Sequence, residues 1–331
     1  MSVTARAAWN LPGTVLLLDD DETFVRSLAE ALEPSAVVAF TAPGPALRHL
    51  HTVAEAVGSG PVAVGTTEDA GIAEAVALRR DPLERFVRTA SRFAMVTVAI
   101  VDQVMPAMPG TTFCAQARAM GVKTILLSGR MNDGEAVAAF NDGTIDRYVE
   151  KNDPDVIAKL ARMIEDLGTS QALERTARFE AILKPASRGL FERHDLWSLL
   201  GQISRIFPFC EHYFDAAAPG FLLINDQGDY RFLLVDDADE QIRSAQILTD
   251  VGTLEPERLG LAEGRMLVWN LADAIQQIER DEIDLARFVF PANRHGSLVW
   301  ALIAPDLVPS AGLVPQGSWS SYRGLVRSFL T

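Results

Sequence analysis

The sequence predicts an α/β protein whose first half is a doubly wound parallel sheet. The first observation is that four apolar, strand-like runs lead directly into polar residues, which in chain order are Asp19-Asp20, Asp102, Ser128 and Lys151. The second is that helical patterns separate these runs, as the crossovers of a parallel sheet require. Because the carboxyl ends of parallel strands meet at one edge, we expect these polar groups to lie together.

The first elements are a strand, a helix and a second strand. Val15–Leu18 is the predicted strand that leads into the acidic run, and Asp21 is interpreted as the N-cap of the helix that follows. Pro34 ends this helix, and Ala36–Phe40 is the second strand. One apolar helix face supports the assignment and consists of Phe24, Val25, Leu28, Ala31 and Leu32.

The distance along the chain from Asp20 to Asp102 predicts an insertion. The two residues are 82 positions apart, whereas two helices, one strand and their loops need roughly 45 residues. We therefore predict an insertion at about 52–93 that lies outside the sheet, with a helical pattern at Ile72–Val87. The alternative is a long, kinked second helix. As a functional hypothesis, the insertion covers the face near the second helix and changes partner choice.

The remaining elements of the first half alternate regularly. Asp153-Pro154 supplies an N-cap and an N1 proline to the last helix, and Gly168 is predicted to end it. The predicted order is strand Met95–Val101, helix Thr111–Gly121, strand Ile125–Leu127, helix Asp133–Gly143, strand Ile145–Val149 and helix Pro154–Gly168.

The second half begins with helices and continues as a mixed α+β module. A stripe formed by Leu196, Leu199, Leu200, Ile203 and Ile206 indicates either core or a dimer seam. The predicted elements are helices at about 170–184 and 195–206, a β-hairpin of Gly220–Asn225 and Tyr230–Val235 around a Gln-Gly turn, a helix at 239–249, a strand at Arg265–Trp269, a helix at 271–287 and a strand at Ser297–Ile303.

Composition excludes several classes of function. The 331 residues carry 30 basic and 44 acidic side chains, for a net charge of −14, and both halves are acidic. Because a sequence-independent grip on nucleic acid normally needs a basic face, we expect no nucleic-acid partner. The 2 cysteines, Cys114 and Cys210, are too few and too far apart for a disulfide framework or a zinc site. The sequence has no apolar run of membrane-spanning length and no signal-peptide core. We therefore expect no membrane association and a cytoplasmic location.

The ordered polar set at the strand ends resembles the receiver domain of two-component response regulators over residues 14 to about 165. Finer positions agree as well: Met105, Pro106 and Gly110 follow the central aspartate, Gly129 follows Ser128, and Tyr148 lies three residues before Lys151. The resemblance implies a flavodoxin-like strand order 2-1-3-4-5. It divides the chain into an N-terminal tail (1–12), a receiver domain (13–168), a helical linker (169–206) and an α+β effector or interaction domain (207–331).

The resemblance also implies a role for each residue of the site. Asp102 would be the phosphoacceptor, and Ser128 and Lys151 would contact the phosphoryl group. Ser128 and Tyr148 would form the switch. Magnesium would be held directly by Asp20 and Asp102, through water by Asp19, and by the backbone carbonyl of Val104.

The leading hypothesis is a response regulator that uses Mg²⁺ and takes phosphate from a sensor histidine kinase or phosphotransfer protein. Such a receiver catalyses its own phosphoryl transfer and hydrolysis, and its output here would be an interaction module, with a homodimer through the 133–206 region. Two alternatives stay open for the C-terminal domain: an enzyme gated by the receiver, and a ligand-sensing module of the PAS or GAF type, to which the pattern bears a loose resemblance.

Overall fold

The computed structural model describes residues 6–33, 35–57, 80–129, 138–180, 185–215, 220–241, 260–261, 263–268, 288–307 and 314–328. The strands are β1 (Trp9–Asn10), β2 (Thr14–Leu18), β3 (Ala36–Phe40), β4 (Val96–Asp102), β5 (Lys123–Ser128), β6 (Arg147–Glu150), β7 (Glu211–Asp215), β8 (Gly220–Ile224), β9 (Tyr230–Asp237), β10 (Met266–Val268), β11 (Val289–Pro291), β12 (Asn293–His295) and β13 (Leu298–Ile303). The helices are α1 (Glu22–Ala31), α2 (Pro43–Val57), α3 (Arg80–Val87), α4 (Gly110–Ala119), α5 (Val156–Glu180), α6 (Pro185–Glu192), α7 (His194–Ile206) and α8 (Trp319–Arg327), with short 3₁₀ helices at Ala90–Ala94 and Pro305–Leu307.

Five parallel strands form the sheet of the first domain, in the order β3-β2-β4-β5-β6. This is the predicted order 2-1-3-4-5, so the fold prediction is confirmed. Every residue of β2 and β4 is buried. Strands that are covered on both faces read as continuous apolar runs, and this explains why the sequence around Asp19 and Asp102 shows no alternation.

Helices cover both faces of this parallel sheet. Because side chains alternate along a strand, Val15 and Leu17 pack with α1 and α5, whereas Leu16 and Leu18 pack with α2 and α4. The helix α1 begins as predicted: the Asp21 carboxylate accepts hydrogen bonds from the backbone N–H groups of Thr23 (2.9 Å) and Phe24 (3.1 Å). Pro34, predicted to end this helix, lies outside the described residues.

A second, antiparallel sheet follows the order β1-β7-β8-β9-β13-β12, and β10 pairs with β11 in a separate two-stranded sheet. The predicted α+β character of the C-terminal half and its β8–β9 hairpin are confirmed. Gly228 takes a φ of 94° in the turn, which favours glycine. Of the predicted helices at 239–249 and 271–287, only the first residues of the former lie within the described part of the chain.

The segment predicted to be an N-terminal tail contributes to the second sheet. Trp9–Asn10 pairs antiparallel with β7, and Ala8, Trp9 and Leu11 are buried in the core of that sheet. Residues 8–11 therefore belong to the second domain, and the chain then enters the first domain at β2.

The described part of the predicted insertion packs against the second sheet. In α3, Leu83, Phe86 and Val87 belong to the same buried cluster as Tyr213 of β7, and the rings of Phe86 and Tyr213 are 5.9 Å apart. None of the described residues in 52–93 is a strand of the central sheet. Residues 58–79, which include most of the predicted helical pattern, lie outside the described residues.

One long helix joins the two domains. The prediction that Gly168 ends the last receiver helix is wrong, because α5 runs without a break from Val156 to Glu180. A glycine costs a helix only about 1 kcal/mol relative to alanine. Buried residues on both sides of it, Leu167 and Ala172 among them, keep the helix packed.

The apolar stripe of α7 is core and not a dimer seam. Leu196, Leu199, Leu200 and Ile203 are fully buried against the second sheet, whereas Ile206 is exposed.

The helix α8 returns from the second domain to the first. Trp319 is buried in a cluster with Phe93 and Ala36, and the hydroxyl groups of Tyr322 and Thr14 are 3.0 Å apart. Like β1 and α3, this helix packs against a domain that is formed mainly by the other half of the chain. Among the described residues, no helix is both long and apolar enough to cross a membrane.

Candidate functional site

Three carboxylates meet at the carboxyl edge of the parallel sheet. Asp19 follows β2 directly, Asp20 comes next in the chain, and Asp102 is the last residue of β4. One oxygen from each of the three lies within 4.8 Å of the others. Asp19 and Asp102 are buried and Asp20 is exposed, so the cluster is open to solvent on one side.

Lys151 joins two of these carboxylates. Its Nζ lies 2.6 Å from Asp19 Oδ2 and 2.7 Å from Asp102 Oδ1. The lysine comes directly after β6, where its backbone N–H donates to the carbonyl of Ser128 over 2.9 Å. The ammonium also lies 5.0 Å from the ring centroid of Phe24, in the first turn of α1. Sequence reasoning placed Phe24 on the apolar helix face but did not identify this cation–π contact.

Burial and charge act in opposite directions on the groups that meet here. Burial raises the pKa of Asp19 above its ordinary value, and the hydrogen bond from Lys151 offsets only part of this effect. Burial alone would lower the pKa of Lys151, but its bonds to Asp102 and Asp19 outweigh burial and raise the pKa. The lysine is therefore held as a cation, positioned to neutralise negative charge at this edge.

The loop after Asp102 folds back onto the carboxylate. The backbone N–H of Val104 donates to Asp102 Oδ2 over 3.0 Å, which fixes the orientation of the side chain. Gln103 closes the loop: its carbonyl accepts from Gly110 N–H at 3.0 Å, and its side-chain oxygen accepts from Thr111 N–H at 3.1 Å. Sequence reasoning missed Gln103. The sequence feature that could have identified Gln103 is a polar side chain within a loop that contains two prolines and ends at a glycine.

Ser128 ends β5 beside β4, and its hydroxyl oxygen is buried without a hydrogen-bond partner among the described residues. A buried hydroxyl normally has a partner, so an additional acceptor is expected near this position. Tyr148 lies on β6, which pairs with β5, and it is half-buried against the cluster between the sheet and α2 and α4.

The residues at this edge fit a magnesium ion and a phosphoryl group. Mg²⁺ prefers oxygen ligands and takes one or two carboxylates together with water and phosphate oxygen. Asp19, Asp20 and Asp102 supply such oxygens, and the loop that Val104 opens lies directly beside them. Lys151 and the Ser128 hydroxyl, which has no hydrogen-bond partner in the described part of the chain, are donors that suit phosphoryl oxygens.

Comparisons with known proteins address the fold. The chain is similar to the response regulator LqsR of Legionella pneumophila, with 21% identity, coverage of 98% of this chain and 97% of that chain, and a TM-score of 0.71. It also matches a response regulator receiver domain protein from Methanospirillum hungatei JF-1, with 16% identity, coverage of 48% and 98%, and a TM-score of 0.33. A Francisella response regulator receiver domain matches with 16% identity, coverage of 48% and 98%, and a TM-score of 0.31.

No protein-family model and no curated protein matches the chain. The two receiver-domain scores are too low to support an argument, so the comparison with LqsR carries the assignment of the fold. Its match extends over both domains, and the predicted resemblance to receiver domains is confirmed at the level of the fold. The chain therefore shares the fold of the response regulator LqsR across both its parallel α/β domain and its antiparallel α+β domain.

Proposed function

We propose that the protein is a response regulator that is phosphorylated on Asp102. The observation that carries this proposal is the placement of Asp102: a buried carboxylate lies 2.7 Å from the Lys151 ammonium and within 4.8 Å of the carboxylates of Asp19 and Asp20. A capping or structural aspartate needs no second and third carboxylate beside it. A phosphoacceptor that works with a divalent cation needs both neighbours and a nearby ammonium.

In the proposed reaction, an oxygen of Asp102 attacks the phosphorus of a phosphodonor. The new bond joins Asp102 to phosphorus, the bond between phosphorus and the donor breaks, and the donor leaves with that electron pair. The hydrogen bond from Val104 N–H to Asp102 Oδ2 leaves Oδ1, now paired with Lys151, as the attacking atom. Lys151 then neutralises charge on the transferred group, and the Ser128 hydroxyl donates to one of its oxygens.

Magnesium is the cofactor of this proposal. Asp20 and Asp102 would hold the ion directly, Asp19 through water, and the carbonyl of Val104 would complete the protein's ligands. When bound, Mg²⁺ supplies charge neutralisation for the phosphoryl group. The partner would be a sensor histidine kinase or a phosphotransfer protein, which are the donors that the resemblance to receiver domains implies for a phosphoryl group.

The proposed output is a change in how the second domain contacts other proteins. Tyr148 lies on β6, which α5 follows in the chain, so movement of Ser128 toward a phosphoryl oxygen allows Tyr148 to repack the face built from about 133 to 167. The continuous helix α5 leads from the receiver into the second domain, where Thr176 accepts a hydrogen bond from Ala8 N–H at 2.9 Å. Self-association through the 133–206 region is a further part of this proposal.

The proposal is tested by phosphorylation with acetyl phosphate and measurement of intact mass. We expect the wild-type chain to gain one phosphoryl group with Mg²⁺ and to lose this gain when EDTA is present. Asp102→Asn should abolish labelling, and Lys151→Met should reduce it strongly. The matched control is Asp166→Asn, at an exposed position of α5, which should label like the wild type. Equal labelling of wild type and Asp102→Asn would overturn the assignment.

A further inference from the structure

An aromatic ring lies beside the ammonium group that the proposed phosphoryl transfer uses. Lys151 Nζ is 5.0 Å from the centre of the Phe24 ring. This is within the distance of about 6 Å at which the negative face of an aromatic ring attracts a cation. The same ammonium bonds to Asp19 Oδ2 at 2.6 Å and to Asp102 Oδ1 at 2.7 Å. Lys151 is therefore held by two carboxylates and one aromatic face.

The position of the Phe24 ring is fixed by the helix that carries it. Phe24 lies in the first turn of α1, and its backbone N–H donates to the Asp21 carboxylate over 3.1 Å. The ring is half-buried and packs against the apolar cluster between the sheet and helices α1 and α5. Because a helix cap and a core contact hold the ring in place, it offers a fixed surface to a side chain that is less constrained.

The Lys151 side chain needs such a constraint. Its ammonium is strongly hydrated and sits on a flexible four-carbon stem, and 21% of the side chain is exposed, so water competes with its protein partners. The carboxylates of Asp19 and Asp102 are also ligands of the proposed magnesium site, and an oxygen that binds the ion holds the ammonium less well. The Phe24 ring has no oxygen to offer the ion. It is therefore a partner that Lys151 does not share with the metal.

We propose that Phe24 is a positioning residue for phosphoryl transfer, because its ring holds the Lys151 ammonium where it meets the phosphoryl oxygens. The inference rests on the function proposed for Asp102 and deepens it by adding an aromatic residue to the polar set. Phe24 acts through Lys151 and forms no bond to the transferred group. Its effect depends on the electron density of the ring face, since the quadrupole of the ring attracts the cation.

The test replaces Phe24 in the full chain with 4-fluoro-, 3,5-difluoro- and 3,4,5-trifluorophenylalanine. The initial rate of labelling by acetyl phosphate is measured at saturating Mg²⁺. Fluorine draws electron density from the ring face and changes the shape of the ring little. We expect the rate to fall with each added fluorine, by about 2- to 5-fold over the series, which is the factor that a cation–π contact at a partly exposed site supplies.

Two controls separate this effect from a general change in the chain. The ring of Phe207 lies 5.3 Å from the Arg231 guanidinium in the second domain, so the same fluorinated residues at Phe207 weaken a contact of the same kind away from the site. They should leave the rate unchanged. In Lys151→Met, which has no cation at this position, the slower labelling should not respond to fluorination of Phe24.

A measurement on the chain without metal or phosphodonor checks the contact by itself. The sequence has 4 lysines, so ¹³C-labelled lysine gives few Hε–Cε signals in an NMR spectrum, and the Lys151 signal is the one missing from Lys151→Met. We expect the ring current of Phe24 to shift this signal upfield. Phe24→Leu should return it toward the position of the exposed Lys159.

The outcomes distinguish this inference from the function on which it rests. If the wild type gains no phosphoryl group, or if Asp102→Asn gains one equally, both the proposed function and the inference are overturned. If the wild type is labelled on Asp102 but the rate is equal across the fluorinated series at Phe24, only the positioning role is overturned. The same conclusion follows if fluorination at Phe207 slows labelling as much, or if Phe24→Leu leaves the Lys151 signal unmoved.

Discussion

Gly110 shows how the absence of one methyl group shapes the loop after Asp102. A Cβ atom at this position would lie 2.1 Å from the backbone oxygen of Asp102 and 2.8 Å from Gln103 Cα. These are backbone atoms, so rotation of a side chain cannot relieve the clash. The start of α4 is therefore packed directly onto the end of β4, and the position of Asp102 depends on glycine at 110.

We expect Gly110→Ala to destabilise the protein by about 1–3 kcal/mol, because the loop must move to accommodate the added carbon. Urea unfolding monitored by circular dichroism gives the free energy of unfolding. Gly168→Ala is the matched control: nothing lies within 4 Å of its added Cβ, and it is inside α5. This change should stabilise by up to about 1 kcal/mol. Equal effects of both substitutions would show that the close approach at Gly110 is unimportant.

His212 makes stability depend on pH. The ring is buried in β7, and its Nε2 donates to the carbonyl of Ala7 at 2.9 Å. Full burial lowers the pKa of His212 from 6.5 to about 4. The folded state thus binds a proton less readily than the unfolded state. The neutral His212 ring therefore contributes fully to the free energy of unfolding above pH 6.5, and this contribution is lost as the pH falls from 6.5 toward 4.

From this pKa shift we expect the wild type to lose about 3 kcal/mol more than His212→Gln between pH 7 and pH 4. Chemical unfolding curves at several pH values measure the difference. His51→Gln is the control, because His51 is exposed on α2 and its substitution should leave the pH dependence unchanged. Parallel curves for wild type and His212→Gln would contradict the expected linkage.

At the scale of elements, a buried ion pair joins the receiver to the second sheet. Arg92, in the short helix before β4, donates from Nε to Glu211 Oε2 at 2.7 Å and from Nη2 to Glu211 Oε1 at 3.0 Å. Both side chains are completely buried. Tyr213 also donates to Glu211, at 2.6 Å, and Arg92 Nη1 donates to the carbonyls of Thr89 and Gln316. A further bond from Arg92 Nη1 to the carbonyl of Val87, at 3.2 Å, lets this network connect the end of α3, β7 and the segment before α8.

We expect Arg92→Met to destabilise the protein by about 3–5 kcal/mol, because it leaves the Glu211 charge buried and unpaired. The double variant Arg92→Met/Glu211→Gln should lose less than the sum of the single losses, since the uncompensated charge is removed. A double-mutant cycle from urea unfolding measures this coupling. The exposed pair Arg26–Glu22 is the control, where Arg26→Met should cost less than about 1 kcal/mol. Additive losses at Arg92 and Glu211 would refute the coupling.

At the scale of the whole molecule, we expect phosphorylation of Asp102 to change the structure beyond the site itself. The receiver and the second domain share α5, and the proposed switch residue Tyr148 lies on β6, beside the face built from about 133 to 167 that continues into this helix. We expect beryllofluoride with Mg²⁺ to change hydrogen exchange across 140–206 as well as around Asp102, because a repacked face shifts the helix that continues from it. Mass spectrometry of peptides measures the exchange.

Asp102→Asn treated in the same way is the control for this measurement and should show no change in either region. Exchange differences confined to the loops around Asp20, Asp102 and Ser128 would show that the second domain is not coupled through α5.

Sequence patterns predicted the parallel sheet and the meeting of Asp19, Asp102 and Lys151 at one of its edges. This was possible because strand ends and helix caps can be recognised from short, local stretches of sequence. The β8–β9 hairpin was predictable for the same reason. The docking of the domains was not, since its contacts join distant residues: Arg92 and Glu211 are 119 positions apart, and Thr14 and Tyr322 are 308 apart. Gly168 was predicted to end a helix because propensity carries no information about the packing of its neighbours.

The first and the last described elements of the chain each pack in the domain that the other half of the chain forms. Trp9–Asn10 is an edge strand of the second sheet, and Trp319 of α8 packs on Phe93 beside the first. A gene fragment that encodes either domain alone thus omits part of that domain's own core or uncovers an apolar face. We expect neither half to be exchangeable by recombination at the boundary near residue 168.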